Sequence, residues 1–208
     1  AQAAARALGN IGTAGAARAI ETALRKTAPE NRLAFCDGLF RCAEAMAAKG
    51  KTRDATALYD RLRGFKNVPD QVRAGALRGS ILVRGKSGDW LLKESLATSD
   101  EVLFDAAVRA ALEMPDVRVT EILAEQLPQL WPDNKIVVIQ ALGSRGDMQA
   151  LPALYLQANQ GPKPNRLAAV RAIAAIGHPL SVKILVEVVG DLMALDPSGT
   201  GPDREIAA

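Results

Sequence analysis

Aromatic residues are scarce in this 208-residue chain: four Phe, two Tyr and two Trp, 4% of the whole. A sandwich or barrel of this size fills its pleated faces with aromatic and β-branched side chains. Here the β-branched runs are short and scattered, so an all-β reading fails. Cysteine is nearly absent as well, limited to Cys36 and Cys42. Six positions apart on one helix, they stand about 9 Å apart along the axis, beyond disulfide reach. They read as free buried thiols, which leans towards a reducing compartment. A single histidine, His178, leaves a two-histidine metal site or a Cys–His nucleophile short of partners. No apolar run approaches the roughly 18–20 residues of a membrane helix, and no basic segment followed by an apolar signal core opens the chain. It begins AQAAARALG, already in a helix-like pattern and without a methionine. It therefore reads as a piece of a longer protein, and its compartment stays open.

What is abundant is alanine and leucine, in a chain 49% apolar. That composition favours helices packed through small side chains. The length allows one or two domains with a substantial core. The net charge of +3 conceals a gradient. Residues 1–99 carry 17 Lys and Arg against 9 Asp and Glu, and residues 100–208 carry 9 against 14. These charges are interspersed with apolar residues, as on solvated helix faces. Two ordinary surfaces, or a basic region at one end of an elongated molecule, both fit.

The chain repeats itself. AVRAIAAIG (169–177) and AARALGNIG (4–12) share one layout. Stepping back by 31 from Arg171 lands on Gln140, Arg109 and Arg78, and stepping forward by 31 from Arg6 lands on Asp37. Asp37 to Arg78 is 41, one period plus ten residues. Around these six anchors the columns agree. The next residue is always small, from Ala7 and Gly38 to Ala172, and the residue three before is small in five of six. These columns are four apart and share a helix face, so a neighbouring helix can approach closely. The residue before the anchor is always apolar: Ala5, Cys36, Leu77, Val108, Ile139 and Val170. Six after the anchor, Gly12, Pro115, Gly146 and Gly177 mark where the helix should stop. NRLA recurs in matching columns, at 31–34 and 165–168.

Between the anchored helices lie further amphipathic segments, over 13–27, 54–64, 89–97, 118–130, 148–159 and 181–193. Breaks such as KNVPD, WPDN, GPKPN and GHP separate them. Each unit is a helix–turn–helix of about 31 residues. Such a unit cannot bury its apolar face alone, so units stack into an all-α fold, an α-solenoid.

PDQVRAGAL, NRLAAVRAIAAIG and AARALGNIG resemble the HEAT-repeat family, in particular its short, bilin-lyase-type members. The resemblance covers nearly the whole chain. It implies a right-handed superhelix of about six repeats over 1–208, with the anchored helices lining a concave side. CAEAMAAKGKTRDATALYDRLRG (42–64) departs from that pattern and resembles a tetratricopeptide hairpin. Its ten extra residues predict a long helix over 30–48 with a partner at 52–64, widening or bending the stack. At the end, DPSGTGPDREIAA opens with loop chemistry, and REIAA starts what looks like a seventh anchored helix.

No catalytic constellation emerges. His178 reads as a turn residue near a helix C-terminus. GTAGAAR (12–18) and SGTG (198–201) carry glycines but lack the lysine and hydroxyl of a phosphate loop, and follow no strand. Asp100 and Asp203 read as caps or first-turn acids rather than general acids. Trp90 and Trp131 read as core or interface packing, and Asp70 with Arg73 as cap and repeat-ladder residues. The candidate binding residues are the anchors Arg6, Arg78, Arg109, Gln140 and Arg171. The arginines either pair with acids of neighbouring repeats or form a column suited to carboxylate or phosphate, and Asp37 and Gln140 interrupt that column.

The expected role is a non-catalytic interaction or scaffold module. It needs no cofactor and no metal, and its partner is a protein or peptide, including other domains of the same chain. Two alternatives stand beside it: nucleic-acid binding through the basic half, and an accessory role in an enzyme, as the bilin-lyase resemblance implies. Few aromatics for base stacking and an acidic second half argue against nucleic acid.

Overall fold

A computed structural model describes residues 2–195. It is all-α: among the described residues there is no strand. The chain divides into two compact units, Ala1–Glu113 and Met114–Ala208.

The first unit holds α1 (Gln2–Ile11), α2 (Ala14–Leu24), α3 (Arg32–Ala48), α4 (Thr52–Arg63), α5 (Asp70–Arg84), α6 (Asp89–Leu96) and α7 (Glu101–Glu113). The second holds α8 (Val117–Gln126), α9 (Pro132–Arg145), α10 (Leu151–Gln160), α11 (Lys163–Ile176) and α12 (Ser181–Leu195). The odd-numbered helices are the anchored ones. Each even-numbered helix falls on a predicted intervening segment, shifted by up to a turn at its ends. The segment over 118–130 gives α8 and then a 3₁₀ turn, Leu127–Gln129, because Pro128 lacks the donor an α-helix needs.

The helix boundaries have local causes. The Thr13 hydroxyl accepts from the Ala16 amide at 3.2 Å, and the Asp116 carboxylate from the Arg118 amide at 3.0 Å. Asp100 accepts from the Leu103 amide at 3.2 Å, the capping role expected of it. Pro132 opens α9, where a missing N–H costs nothing. Gly12, Gly146 and Gly177 adopt φ of +61°, +72° and +68°, and so end α1, α9 and α11 in the left-handed turn that glycine favours.

The apolar anchor column becomes the core. Ala5, Cys36, Leu77, Val108, Ile139 and Val170 are all buried. Anchored helices pack in sequence within each unit, α1 on α3, α5 on α7 and α9 on α11, with each paired to its neighbour in the hairpin. The small column permits this. Ala110, Ala141 and Ala172 are at most 4% exposed, and a Cβ added at Gly38 would lie 2.6 Å from the Ala5 carbonyl oxygen.

α3 runs for 17 residues and α4 follows it directly. On its N-terminal neighbours, α5 packs on α4 and meets α3 only sparsely. Leu39, Leu58 and Leu62 are fully buried there, each stabilising by about 1.5–3 kcal/mol relative to exposure. Tyr59 fills the space over Gly79. The segment 196–208, with its predicted loop and seventh helix, lies outside the described residues, as do SGTG and Asp203.

Candidate functional site: grooves between anchored helices

Close backbone approach along the small columns leaves a furrow on the flanking, anchor-bearing side of each helix pair. In the first unit, α1 and α3 enclose 540 Å³ lined by Arg6, Glu30, Leu33, Asp37 and Arg41. In the same unit, α5 and α7 enclose 420 Å³ lined by Asp70, Arg78, Val102, Asp105 and Arg109. In the second unit, α9 and α11 enclose 510 Å³ lined by Ile136, Gln140, Ser144, Pro164, Leu167 and Arg171. The five predicted binding residues therefore all line grooves. Arg78 and Arg109 share one, Gln140 and Arg171 share another, and Arg6 stands in a third.

Their electrostatic settings differ. Arg78 donates from Nε to Glu113 Oε1 at 2.6 Å and from Nη2 to Oε2. This fork is the pairing with a neighbouring repeat that the sequence suggested as one option. The Arg78 hydrogen bonds hold the Glu113 carboxyl below its usual value. Arg109 and Arg6 are exposed, and no ion pair holds either among the described residues. Asp37 pairs with Arg41 at 3.0 Å, balancing charge in the α1/α3 groove. The α9/α11 groove has the fewest charged walls of the three, Arg171 alone.

Asp70 and Arg73, read as cap and repeat-ladder residues, contact each other at 3.0 Å, and Arg73 reaches on to Asp100 at the start of α7. The arginine holds the Asp100 carboxyl below its usual value.

The residues weighed for catalysis do not converge. His178 sits in the turn after α11, where its Nδ1 accepts from the Leu180 amide at 3.3 Å. Cys36 and Cys42 are free and buried. Desolvation pushes the Cys36 thiol up to about 11, against a smaller opposing effect of Arg32, so it is a poor nucleophile at neutral pH. No cluster of three or more potential metal ligands occurs among the described residues. For Trp90 and Trp131, read as core or interface packing, the structure removes the core option. They are 55% and 70% exposed, because each stands at the start of a helix, outside the apolar stripe. Trp90 lies instead against the Arg84 guanidinium, 6.0 Å from its ring centroid.

Two constellations were not read from the sequence. Arg145, whose side chain is 5% exposed, donates to the Met114 and Asp116 carbonyls at 2.7 and 2.9 Å and to Thr120 Oγ1 at 2.6 Å. It ties the end of α9 to the start of α8. Arg25, Arg32, Arg61 and Lys66 converge on a separate cavity of the first unit. Only the basic excess of residues 1–99 hinted at it, because helices and a loop remote in the chain bring these cations together. No helix among the described residues is long and apolar enough to cross a membrane. Neither protein-family models nor curated proteins provide a match to this chain.

Proposed function

We propose that this chain is a HEAT-like repeat module that binds protein or peptide segments in the grooves between its anchored helices and catalyses no reaction itself. The observation that carries the reading is the α9/α11 groove. Ile136, Pro164 and Leu167 supply apolar contact, and Gln140, Ser144 and Arg171 supply orienting polar groups along the same furrow. An apolar floor with a few polar groups suits an amphipathic peptide segment, whose side chains at helical spacing fill the furrow. Stacked repeats extend such surfaces without needing a catalytic set.

The test is a displayed-peptide library panned on the purified chain. Selected peptides should lose about tenfold or more in affinity for Leu167→Asp or Arg171→Glu, at constant fold by circular dichroism. They should retain it for Arg53→Glu, an exposed α4 cation outside the grooves. A library that yields no binder, or binders indifferent to both groove substitutions, would overturn the proposal.

A further inference from the structure

The cavity at which α2 and α4 end and α3 begins has a different chemistry. It measures 510 Å³, and its apolar lining is Leu24, Phe65 and Val68. Around that lining stand Arg25, Arg32, Arg61 and Lys66, with Glu21 the single carboxylate. Glu21 is already engaged: Arg61 Nε donates to its Oε1 at 2.7 Å. Among the described residues, Arg25, Arg32 and Lys66 belong to no ion pair. Arg32 spends one donor on the Asn67 carbonyl at 3.4 Å, leaving most of its five N–H groups unused. Asn67 adopts φ +58°, a left-handed conformation asparagine tolerates. This turn carries the chain so that both Phe65 and Val68 reach the cavity wall.

Helix-end electrostatics explain only part of this. Arg25 caps the C-terminus of α2, and Arg61 lies in the last turn of α4, where the dipole favours cations. Arg32 is the first residue of α3, where the dipole opposes a positive charge, and Lys66 lies in the following loop. The nearby acid Glu30 lines the α1/α3 groove rather than this cavity. Three cations without acids therefore face one apolar recess, at a cost in mutual repulsion. A bound anion would remove that cost.

We propose that this cavity binds a small organic phosphate: a phosphomonoester held by Arg25, Arg32 and Lys66, on an apolar or aromatic body resting against Leu24, Phe65 and Val68. Arginine forks match phosphate oxygens in pairs, and lysine adds a point charge. The volume falls within the range of about 300–1,000 Å³ typical of small-molecule sites. The apolar wall selects the body of the ligand, and the cations select its dianionic head.

The test uses phenyl phosphate, inorganic phosphate and phenol as probes in separate amide-resolved NMR titrations of the whole chain. Phenyl phosphate should saturate and shift the amides of residues 24–32 and 64–68. Inorganic phosphate should bind about tenfold more weakly, and phenol should not saturate at about 10 mM. Arg25→Glu with Lys66→Glu changes only exposed side chains, so the fold should persist. This pair of changes should weaken phenyl phosphate about 100-fold, as expected for two charge-assisted contacts. Arg53→Glu should leave it unchanged. Absent saturation, shifts elsewhere, equal binding of inorganic phosphate, or indifference to the charge reversals would each overturn the proposal.

Discussion

Replacing Gly143 by alanine tests whether small side chains hold the anchored helices together. A Cβ built at Gly143 of α9 falls 2.8 Å from both Cα and Cβ of Ala172 in α11. Carbon atoms rest about 3.5–4.0 Å apart, so α11 must withdraw by roughly 1 Å. Overpacking of this kind costs about 1–3 kcal/mol. Helix propensity opposes it, since alanine in a helix interior is about 1 kcal/mol better than glycine. The expected net effect of Gly143→Ala is a loss of about 1 kcal/mol. Gly190→Ala in α12 isolates the propensity gain, because a Cβ there meets nothing within 4 Å among the described residues. It should stabilise by about 1 kcal/mol. The two variants lie in the same unit, so the comparison does not depend on how the two units unfold. Urea titration followed by far-ultraviolet circular dichroism should separate them by about 2 kcal/mol. If Gly143→Ala stabilises as much as Gly190→Ala, the close-approach account of the small column is wrong.

Arg145→Met should cost about 3–5 kcal/mol in the same assay, because it strands two carbonyls, Thr120 and Asp147 around a buried position. Arg118→Ala, whose side chain is 41% exposed, should change stability by less than about 1 kcal/mol; equal losses would refute the distinction. Glu113 and Asp100 are held below their usual values by hydrogen bonds from Arg78 and Arg73. Depressed folded-state values contribute stability above the ordinary carboxylate range of about 4, and it is lost as pH falls through the lower folded values. Urea midpoints should therefore drop on acidification from about pH 5, less steeply for Arg78→Gln; parallel profiles would count against the pairing. Cys36, buried and raised to about 11, should alkylate with iodoacetamide at least about tenfold more slowly in the native protein than in urea at pH ~8. Comparable rates would mean that α3 opens readily.

The repeat was legible because its columns obey helix geometry. An apolar residue before each anchor and a small one after it recur every 31 residues, or 41 across the insertion, and a period of 3.6 puts the two small columns, four apart, on one face. The stops at Gly12, Gly146 and Gly177 were legible because only glycine enters the left-handed turn without strain. Of the two options read for Trp90 and Trp131, core or interface packing, their exposure removes the first. The groove residues were legible as a column, but not their partners. Nothing in the spacing of Arg78 and Glu113, 35 residues apart, announces a bidentate pair.

Local periodicity and turn chemistry, written in the sequence, thus determined the helices, their order, the buried column and the insertion between Asp37 and Arg78. Tertiary structure alone decided which charges cancel and which remain. Ion pairing depends on distances of a few ångströms between helices remote in the chain. Arg145 found partners in Met114, Asp116, Thr120 and Asp147, Arg78 was claimed by Glu113, and Arg25, Arg32 and Lys66 were brought to one cavity whose single acid, Glu21, is held by Arg61.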